Sequence, residues 1–213
     1  MNYYIEDNLN IPLKKVLDVI QHRIMNYTTY LGITTLKNPI DFWVYQEIIY
    51  ETKPDVIIEI GNYFGGSTLA LANICDALGN GKVIGIDISH QKVHPSVRDH
   101  PRISLIQGDA CQLFEVVKSL LSDDDKVLVI EDSAHTFDNT LEVLNTYSTI
   151  IKPGDYFIVE DSICHHGLSV GPQPGPYEAI ETFIKINSNF EVDRSKESFF
   201  LTWNPKGFLK RKR

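Results

Sequence analysis

The sequence predicts an α/β fold in which a mostly parallel β-sheet is covered by helices on both faces. From residue 55 onward, short apolar segments alternate with amphipathic helical segments, a pattern typical of parallel strands joined by right-handed crossovers. Acidic residues follow nearly every apolar segment, where the carboxyl ends of parallel strands form a ligand-binding crevice. A chain of 213 residues is long enough for one domain with a full-sized core.

The composition is that of a soluble globular protein and argues against several classes of partner. Hydrophobic residues make up 43% and charged residues 23% of the chain, both ordinary values. The formal net charge of −8 disfavours nucleic acid as the main partner. No apolar run approaches the roughly 20 residues of a membrane span, and the first ten residues lack a signal-peptide pattern. Three widely spaced cysteines fit neither a disulfide framework nor a zinc site, so we expect a cytoplasmic protein.

A helical extension is expected ahead of the first strand. Apolar residues recur at helical spacing and predict a helix over residues 12–27. The next residues look irregular, and Pro39 is predicted to start a second helix. Nothing separates this part as a domain, so we expect residues 1–52 to form a lid on a core made by residues 53–213.

Five apolar segments are expected to form the parallel strands, and two later segments an antiparallel edge. The five are residues 56–60, 82–88, 103–107, 127–131 and 156–160, with helices between them and a last helix near residues 176–187. Residues 190–193 and 198–203 are close enough in the chain to pair antiparallel, which gives seven strands. The basic residues 206–213 could contact anionic groups or a second subunit, but a solvated tail is the simpler prediction.

A glycine-rich turn follows the first strand. Gly61, Gly65 and Gly66 permit a sharp turn and close backbone approach before a helix begins. Such a turn leaves unpaired N–H groups at the helix start, where they can meet a polar ligand. A tight connection without a ligand would give the same pattern.

Asp87 ends the second strand and is a candidate ligand for a ribose. It lies 26 residues after Gly61, where nucleotide-binding folds place the acid that holds the ribose hydroxyls. A solvated acid at a strand end is the alternative. A nicotinamide dinucleotide is the rival ligand, but the turn lacks the close G-x-G-x-x-G spacing expected around a pyrophosphate.

Three carboxylates at the ends of the fourth and fifth strands predict a site for a hard cation. Asp132, Glu160 and Asp161 offer oxygen ligands with no cysteine nearby, which suits Mg²⁺ or Ca²⁺ better than zinc. Alternatively, Asp132 or Asp161 caps the helix or turn that follows. His135 comes three residues after Asp132. Beside a metal it is a candidate general base, and otherwise a surface or capping residue.

The segment EIGNYFGGS, residues 59–67, resembles the first cofactor motif of Mg²⁺- and S-adenosylmethionine-dependent class I O-methyltransferases. A closer resemblance, over almost the whole chain, is to the cephalosporin hydroxylase-like family, which includes macrolide-sugar and rhamnosyl O-methyltransferases. The segments that carry it include YLGITTLKNPID, YQEIIYETKPDVIIEIG, KVIGIDI, GPQPGPYEAI and FEVDRSKESFFLTWNPKGFLKRK. The resemblance implies a Rossmann-like class I methyltransferase fold with the helical extension at its N-terminus.

The resemblance also implies roles for individual residues. Those that would bind S-adenosylmethionine are Glu59, Gly61, Tyr63, Gly65, Ser67, Asp87, Asp109 and Ala110, with Asp87 on the ribose and the last two against the adenine. The pattern D-x-x-H followed by E-D would make Asp132, Glu160 and Asp161 the metal ligands. His135 would be the general base, acting beside Asp132. The chain has no H-x-D pattern of the 2-oxoglutarate hydroxylase type, so the implied reaction is methyl transfer.

We therefore predict a metal-dependent O-methyltransferase that acts on a hydroxyl group of a small molecule, such as a sugar or a sugar-containing compound. The cation would chelate two acceptor oxygens, and His135 would take the proton. Residues 162–175 are expected to shape the acceptor pocket, with His165 and His166 on an exposed loop. The alternatives are a non-catalytic, cofactor-binding partner of a hydroxylase or methyltransferase, and a nicotinamide-dependent oxidoreductase. Whether the chain forms a homo-oligomer stays open.

Overall fold

The computed structural model describes residues 4–212, so residues 1–3 of the predicted lid and Arg213 of the predicted tail lie outside it. The helices are α1 (Leu13–Tyr27), α2 (Pro39–Thr52), α3 (Gly66–Leu78), α4 (Pro95–Arg98), α5 (Phe114–Ser119), α6 (Phe137–Tyr147) and α7 (Pro176–Ile186). The strands are β1 (Thr29–Tyr30), β2 (Ile33–Thr34), β3 (Val56–Ile60), β4 (Lys82–Asp87), β5 (Ile103–Gln107), β6 (Val127–Glu131), β7 (Tyr156–Val159), β8 (Phe190–Val192) and β9 (Phe208–Arg211). Short 3₁₀ segments lie at Ile5–Asp7, Ser148–Ile150 and Arg194–Glu197.

A seven-stranded sheet, in the spatial order β5-β4-β3-β6-β7-β9-β8, organises the described residues. The first five strands in this order, from β5 through β3 to β7, run parallel to one another, whereas β9 runs antiparallel to both β7 and β8. The prediction of a mostly parallel sheet is therefore confirmed. All five residues of β3 are buried, as expected for a central strand that is covered on both faces.

The two faces of the sheet carry separate hydrophobic cores. On one face, Ile58 of β3 belongs to a cluster that includes Leu144 of α6. On the other face, Ile57 packs in a cluster with Ile48 of α2 and Leu71 of α3. Neighbouring residues of a strand point to opposite sides, so β3 contributes to both cores. This arrangement confirms the prediction of helices on both faces.

The N-terminal extension contains the two expected helices and one element that the sequence did not indicate. The hairpin of β1 and β2 occupies the segment predicted to be irregular. α2 begins at Pro39, and the side chain of Asn38 caps it by accepting the N–H of Ile40 at 3.2 Å. Leu17 and Ile24 of α1 pack in a cluster with residues from the loop after β7 and from the C-terminal segment. Among the described residues, no helix has the length and apolar character needed to cross a membrane.

The pairing predicted for residues 198–203 is wrong. These residues form no strand, and they are held against α2 because Asp41 accepts hydrogen bonds from Thr202 Oγ1 at 2.5 Å and from the N–H of Trp203 at 2.8 Å. The partner of β8 is instead β9, which pairs with β7 on its other side. The antiparallel strand is therefore second from the edge of the sheet.

The prediction of a solvated tail is also wrong for the part of residues 206–213 that the structure describes. β9 lies within this segment, and Phe208 and Leu209 at its start are completely buried. Lys210 and Arg211, which gave the segment its basic character, are half-buried. Two apolar residues ahead of basic ones are too short a signal for a buried strand, because strand patterns are recognised over four to eight residues.

Candidate active site

A cavity of about 600 Å³ opens at the carboxyl ends of the parallel strands. Most of the predicted site residues line it: Gly61, Tyr63, Ser67, Asp87, Asp109, Ala110, Asp132, His135 and Asp161. Glu59, Gly65 and Glu160 were also predicted, but they are not among the lining residues. The parallel sheet brings together side chains that are up to 100 positions apart in the sequence (Gly61 and Asp161), as expected for a crevice at strand ends.

The turn between β3 and α3 is built around Gly61 and Asp87. Gly61 has φ +94°, and a Cβ atom there would lie 1.9 Å from a backbone carbonyl oxygen at the end of β6, so only glycine fits. Asp87 Oδ2 accepts the backbone N–H groups of Asn62 and Tyr63, both at 2.9 Å. Its Oδ1 accepts the N–H of Ser89 at 3.0 Å. One carboxylate therefore fixes the turn and also faces the cavity.

Glu59 and Gly65 support this turn from the side that faces away from the cavity. This position differs from the direct cofactor contact that was expected of them. Glu59 is completely buried, and its Oε2 accepts hydrogen bonds from Thr68 Oγ1 at 2.5 Å and Asn62 Nδ2 at 2.9 Å. Gly65 faces α4, where an added Cβ would meet the side chain of Val97 at 2.9 Å. Burial behind the turn keeps both residues off the cavity wall.

The part of the cavity that is lined by Ile86 and Ala110 offers an apolar surface. Ala110 is 9% exposed, and its carbonyl oxygen accepts the Tyr147 hydroxyl at 2.7 Å, which anchors it to α6. Asp109 is exposed and accepts the N–H of Gln112 at 3.0 Å. Together with Ile86, the methyl group of Ala110 makes a wall that suits a flat aromatic ring.

Asp132, His135 and Asp161 converge on the cavity from the ends of β6 and β7. His135 Nε2 lies 3.5 Å from Asp132 Oδ1, and His135 Nδ1 lies 3.6 Å from Asp161 Oδ2. One ligand atom from each side chain is within 4.8 Å of the others. In octahedral coordination at about 2.1 Å, ligand atoms are roughly 3 Å apart when adjacent and roughly 4 Å apart when opposite. The three side chains are therefore close enough to share one hard cation.

Two further observations distinguish this group from ordinary surface acids. Burial raises the pKa of the Asp161 carboxyl to about 6, against the opposing effect of His135, so a nearby cation would favour its charged form. His135 and Asp161 both have φ +55°. Such conformations cost about 1–3 kcal/mol in residues other than glycine and cluster at functional sites.

Glu160, predicted as the third metal ligand, contacts Lys37 instead. Its Oε1 lies 2.6 Å from Lys37 Nζ, and the same ammonium group also contacts Asp132 Oδ2. Glu160 and Lys37 are each only 6% exposed. Among residues 4–212, the carboxylate and imidazole group with metal-like spacing contains Asp132, His135 and Asp161 but not Glu160. The structure thus groups Asp132 and Asp161 with His135, and it places Glu160 beside Asp132, with the ammonium group of Lys37 in contact with both.

The C-terminal segment braces the site in a way that the sequence did not suggest. Asn204 Oδ1 accepts the N–H of Asp161 at 3.1 Å, and Asn204 Nδ2 donates to the Tyr45 hydroxyl at 2.7 Å. Trp203 Nε1 donates to Gln21 Oε1 at 2.6 Å, and both of these residues line the cavity. The cavity wall beside Asp132, His135 and Asp161 is therefore built by α1 and the C-terminal segment together.

His165 and His166 lie on an exposed loop outside the cavity, as the simpler prediction had it. The ring of His166 stacks on Tyr177 at 3.7 Å, and its Nε2 is 2.7 Å from Glu178 Oε1. His165 Nε2 lies 3.0 Å from the carbonyl oxygen of Gly171. These contacts join the loop after β7 to α7 and leave neither ring on the cavity wall.

Comparison with known proteins identifies the family. A family model described as rhamnosyl O-methyltransferase/CmcI matches residues 22–212. The chain belongs to this family. The rhamnosyl O-methyltransferase of Mycobacterium leprae is 37% identical over 197 residues, which cover 89% of this chain and 85% of the relative. The family relationship and this relative confirm the resemblance read from the sequence motifs, and with it the prediction of an O-methyltransferase.

Solved structures of CmcI share the fold of this family member. An apo structure of CmcI is 26% identical with a TM-score of 0.66, and the match covers 87% of this chain and 76% of that one. A structure of CmcI with Mg and SAM is 24% identical with a TM-score of 0.67, covering 100% of this chain and 86% of that one. The Rossmann-like class I methyltransferase fold is therefore confirmed.

Proposed function

We propose that this O-methyltransferase transfers a methyl group from S-adenosylmethionine to a hydroxyl group of a sugar or sugar-containing molecule, and that it does so with a divalent cation bound beside Asp132. One observation carries the proposal: the glycine-rich turn with Asp87 and the group of Asp132, His135 and Asp161 face the same cavity. The rhamnosyl O-methyltransferase relative supports the sugar acceptor. The CmcI structure with Mg and SAM supports the cofactor and the cation.

The cavity suits S-adenosylmethionine in several respects. The close backbone approach at Gly61 leaves no room for a side chain, and the adjoining turn gives polar contacts for the methionine part through Tyr63 and Ser67. Asp87 would hold the ribose hydroxyls, since its carboxylate is fixed by backbone N–H groups and faces the cavity. Asp109 and Ala110 would lie against the adenine.

The group beside Asp132 suits a divalent cation because it brings the carboxylates of Asp132 and Asp161 within bridging distance of each other. Asp132 and Asp161 would hold such a cation, which when bound polarises an acceptor oxygen and lowers the pKa of its hydroxyl. His135 accepts the hydroxyl proton on a ring nitrogen. The carboxylates at 3.5 and 3.6 Å on its two sides stabilise the imidazolium that forms.

The acceptor would bind between the group of Asp132, His135 and Asp161 and the N-terminal lid. Gln21, Ile24 and Met25 of α1 line the cavity, as do Val170 on the loop after β7 and Trp203. A largely apolar wall with a few fixed polar groups is typical of small-molecule sites. We propose that α1 is the part of the extension that covers the acceptor and keeps water from the transferring methyl group.

The decisive experiment measures transfer of a labelled methyl group from S-adenosylmethionine to rhamnose-containing glycosides, with EDTA and with Mg²⁺ restored. We expect transfer that stops in EDTA and returns with Mg²⁺. Transfer that is unchanged in EDTA would remove the cation from the proposal. Calorimetry separates the rival functions, since binding of NAD in preference to S-adenosylmethionine would indicate an oxidoreductase. Tight binding of S-adenosylmethionine without transfer to any acceptor would indicate a non-catalytic partner protein.

A further inference from the structure

A glutamine interrupts the apolar face of α1. Gln21 lies four positions after Leu17 and three positions before Ile24, so the three side chains share one face of the helix. Leu17 and Ile24 are buried in one hydrophobic cluster, whereas Gln21 is half-buried and lines the cavity. A polar side chain in such a position needs hydrogen-bond partners.

Trp203 fixes the orientation of the Gln21 carboxamide. Trp203 Nε1 donates to Gln21 Oε1 at 2.6 Å. An indole N–H can only donate, so the carboxamide atom that faces it is the oxygen and the NH₂ group lies on the other arm of the planar group. Among residues 4–212, the carboxamide has this one hydrogen-bond partner. Both N–H donors of Gln21 are therefore available to a ligand in the cavity.

Trp203 is itself held in place from two directions. Its backbone N–H donates to Asp41 Oδ2 at 2.8 Å, and the residue is only 4% exposed. It belongs to the same hydrophobic cluster as Leu17 and Ile24 on either side of Gln21. The indole is therefore a rigid support that can orient Gln21 before any ligand binds, and such preorganisation lowers the entropic cost of binding.

The pair of Gln21 and Trp203 lies at the end of the cavity where the acceptor is proposed to bind. Asn204, the residue after Trp203, accepts the N–H of Asp161 at 3.1 Å, and Asp161 follows β7. Asp87, the residue proposed to hold the ribose, ends β4, and two strands lie between β4 and β7 in the sheet. The donors of Gln21 are thus placed to meet the acceptor.

We propose that Gln21 donates a hydrogen bond to a hydroxyl oxygen of the acceptor other than the one that is methylated, and that Trp203 orients it for this contact. The inference rests on the proposed function, because it requires a hydroxylated acceptor beside Asp161. A second fixed contact restricts how the acceptor lies in the cavity. Gln21 is then a specificity-determining residue, and Trp203 is a positioning residue that acts through it.

Kinetics with methyl rhamnoside and its monodeoxy analogues test this contact. Gln21→Met keeps an unbranched side chain and removes the donors. Gln46→Met is the matched control, because Gln46 is half-buried on α2 and does not line the cavity. With methyl rhamnoside we expect kcat/KM of Gln21→Met to fall by about three- to tenfold, mostly through KM. Its affinity for S-adenosylmethionine should be unchanged in calorimetry, and Gln46→Met should keep all wild-type values.

The analogues separate a lost contact from general damage to the site. Among the deoxy analogues that are still methylated, one should lose about three- to tenfold in kcat/KM with the wild type and nothing further with Gln21→Met, because its partner is already gone. Gln21→Glu still accepts the indole N–H but cannot donate when ionised, so it should also fail to distinguish this analogue from methyl rhamnoside. Gln21→Glu is the second variant if Gln21→Met does not fold.

Trp203→Phe tests the positioning role, since it keeps an aromatic ring and removes the indole N–H. We expect it to raise KM for methyl rhamnoside, and the double variant with Gln21→Met to lose no more than Gln21→Met alone. Additive losses would overturn the role of Trp203.

The contrary results are distinguishable. A Gln21→Met variant that keeps the wild-type KM, or a wild type that distinguishes none of the analogues, overturns the contact of Gln21 and leaves the proposed function intact. A wild type that transfers no methyl group to methyl rhamnoside or to any other rhamnose-containing glycoside overturns the sugar acceptor of the proposed function, and this inference with it.

Discussion

Replacing Asp87 with asparagine should weaken both the glycine-rich turn and the binding of S-adenosylmethionine. The carboxylate accepts three backbone N–H groups, from Asn62, Tyr63 and Ser89. An amide has only one oxygen acceptor. If the amide oxygen takes the place of Oδ2, it keeps the bonds to Asn62 and Tyr63. The NH₂ group then faces the N–H of Ser89, and two donors cannot form a hydrogen bond.

The expected loss follows from these three bonds. A hydrogen bond to a charged group contributes about 1.5–3 kcal/mol, and one is lost outright. The other two become neutral, and neutral hydrogen bonds are roughly half as strong. We expect the free energy of unfolding to fall by about 3–6 kcal/mol, which lowers Tm by roughly 6–24 °C in a domain of this size. The ribose would lose a charged acceptor, so affinity for S-adenosylmethionine should fall by about 1–3 kcal/mol, or roughly 5- to 150-fold.

Calorimetric titration with S-adenosylmethionine and thermal unfolding give the two measurements. Asp55→Asn is the matched control, because Asp55 Oδ2 accepts one backbone N–H, that of Lys126 at 2.9 Å, and lies before β3 and away from the cavity. It should lose about 1 kcal/mol of stability and no cofactor affinity. Wild-type affinity in Asp87→Asn would refute the ribose contact, and a wild-type Tm would refute the role of the carboxylate in the turn.

Three further substitutions probe proton transfer, the proposed cation site and the buried acid of α2. His135→Ala should lower kcat by about 10²–10⁴-fold while Mn²⁺ affinity is kept, whereas Asp161→Asn should weaken Mn²⁺ binding. Loss of Mn²⁺ binding in His135→Ala would identify His135 as a ligand and not the base. Burial raises the pKa of Asp41 from 3.8 to about 6, although its hydrogen bonds oppose the shift. The folded state therefore favours protonated Asp41, and the stability contributed by this group is present below pH 3.8 and lost as the pH rises through about 6. Urea unfolding should show the stability of the wild type, relative to Asp41→Asn, falling by up to about 3 kcal/mol between pH 4 and pH 7. A difference that does not change with pH would contradict this.

The central part of the fold could be predicted because its signals are local. β3, β5 and β6 begin and end at the predicted residues, since short apolar runs bounded by turns are characteristic of strands buried in a parallel sheet. The predicted strand ends then placed Asp87, Asp132 and Asp161 at one crevice. The helix predicted between the third and fourth parallel strands is short: α5 spans Phe114–Ser119, and Leu113 and Leu120 flank it as caps.

The remainder depends on contacts between distant segments. Lys37 is 95 residues from Asp132 and 123 residues from Glu160, and a lysine beside a helix start looks like a solvated residue until the fold surrounds it with acids. The bond between Trp203 and Gln21 spans 182 residues. Glu59 was expected to contact the cofactor because residues 59–67 resemble a cofactor motif. Its partners lie in the turn itself, and the sequence alone does not reveal which way the side chain faces.

The position of β9 between β7 and β8 has a consequence for synthesis of the chain. β9 follows both neighbours in the sequence, so the ribosome makes both of them before it makes the strand that joins them. Until residues 208–211 emerge, each neighbour leaves unpaired backbone N–H and C=O groups, which can pair with other nascent chains. Chains that stop at residue 207 still contain Lys37, Asp132, His135 and Asp161. We nevertheless expect these chains to aggregate. The fraction of the chains that is insoluble after translation measures this aggregation.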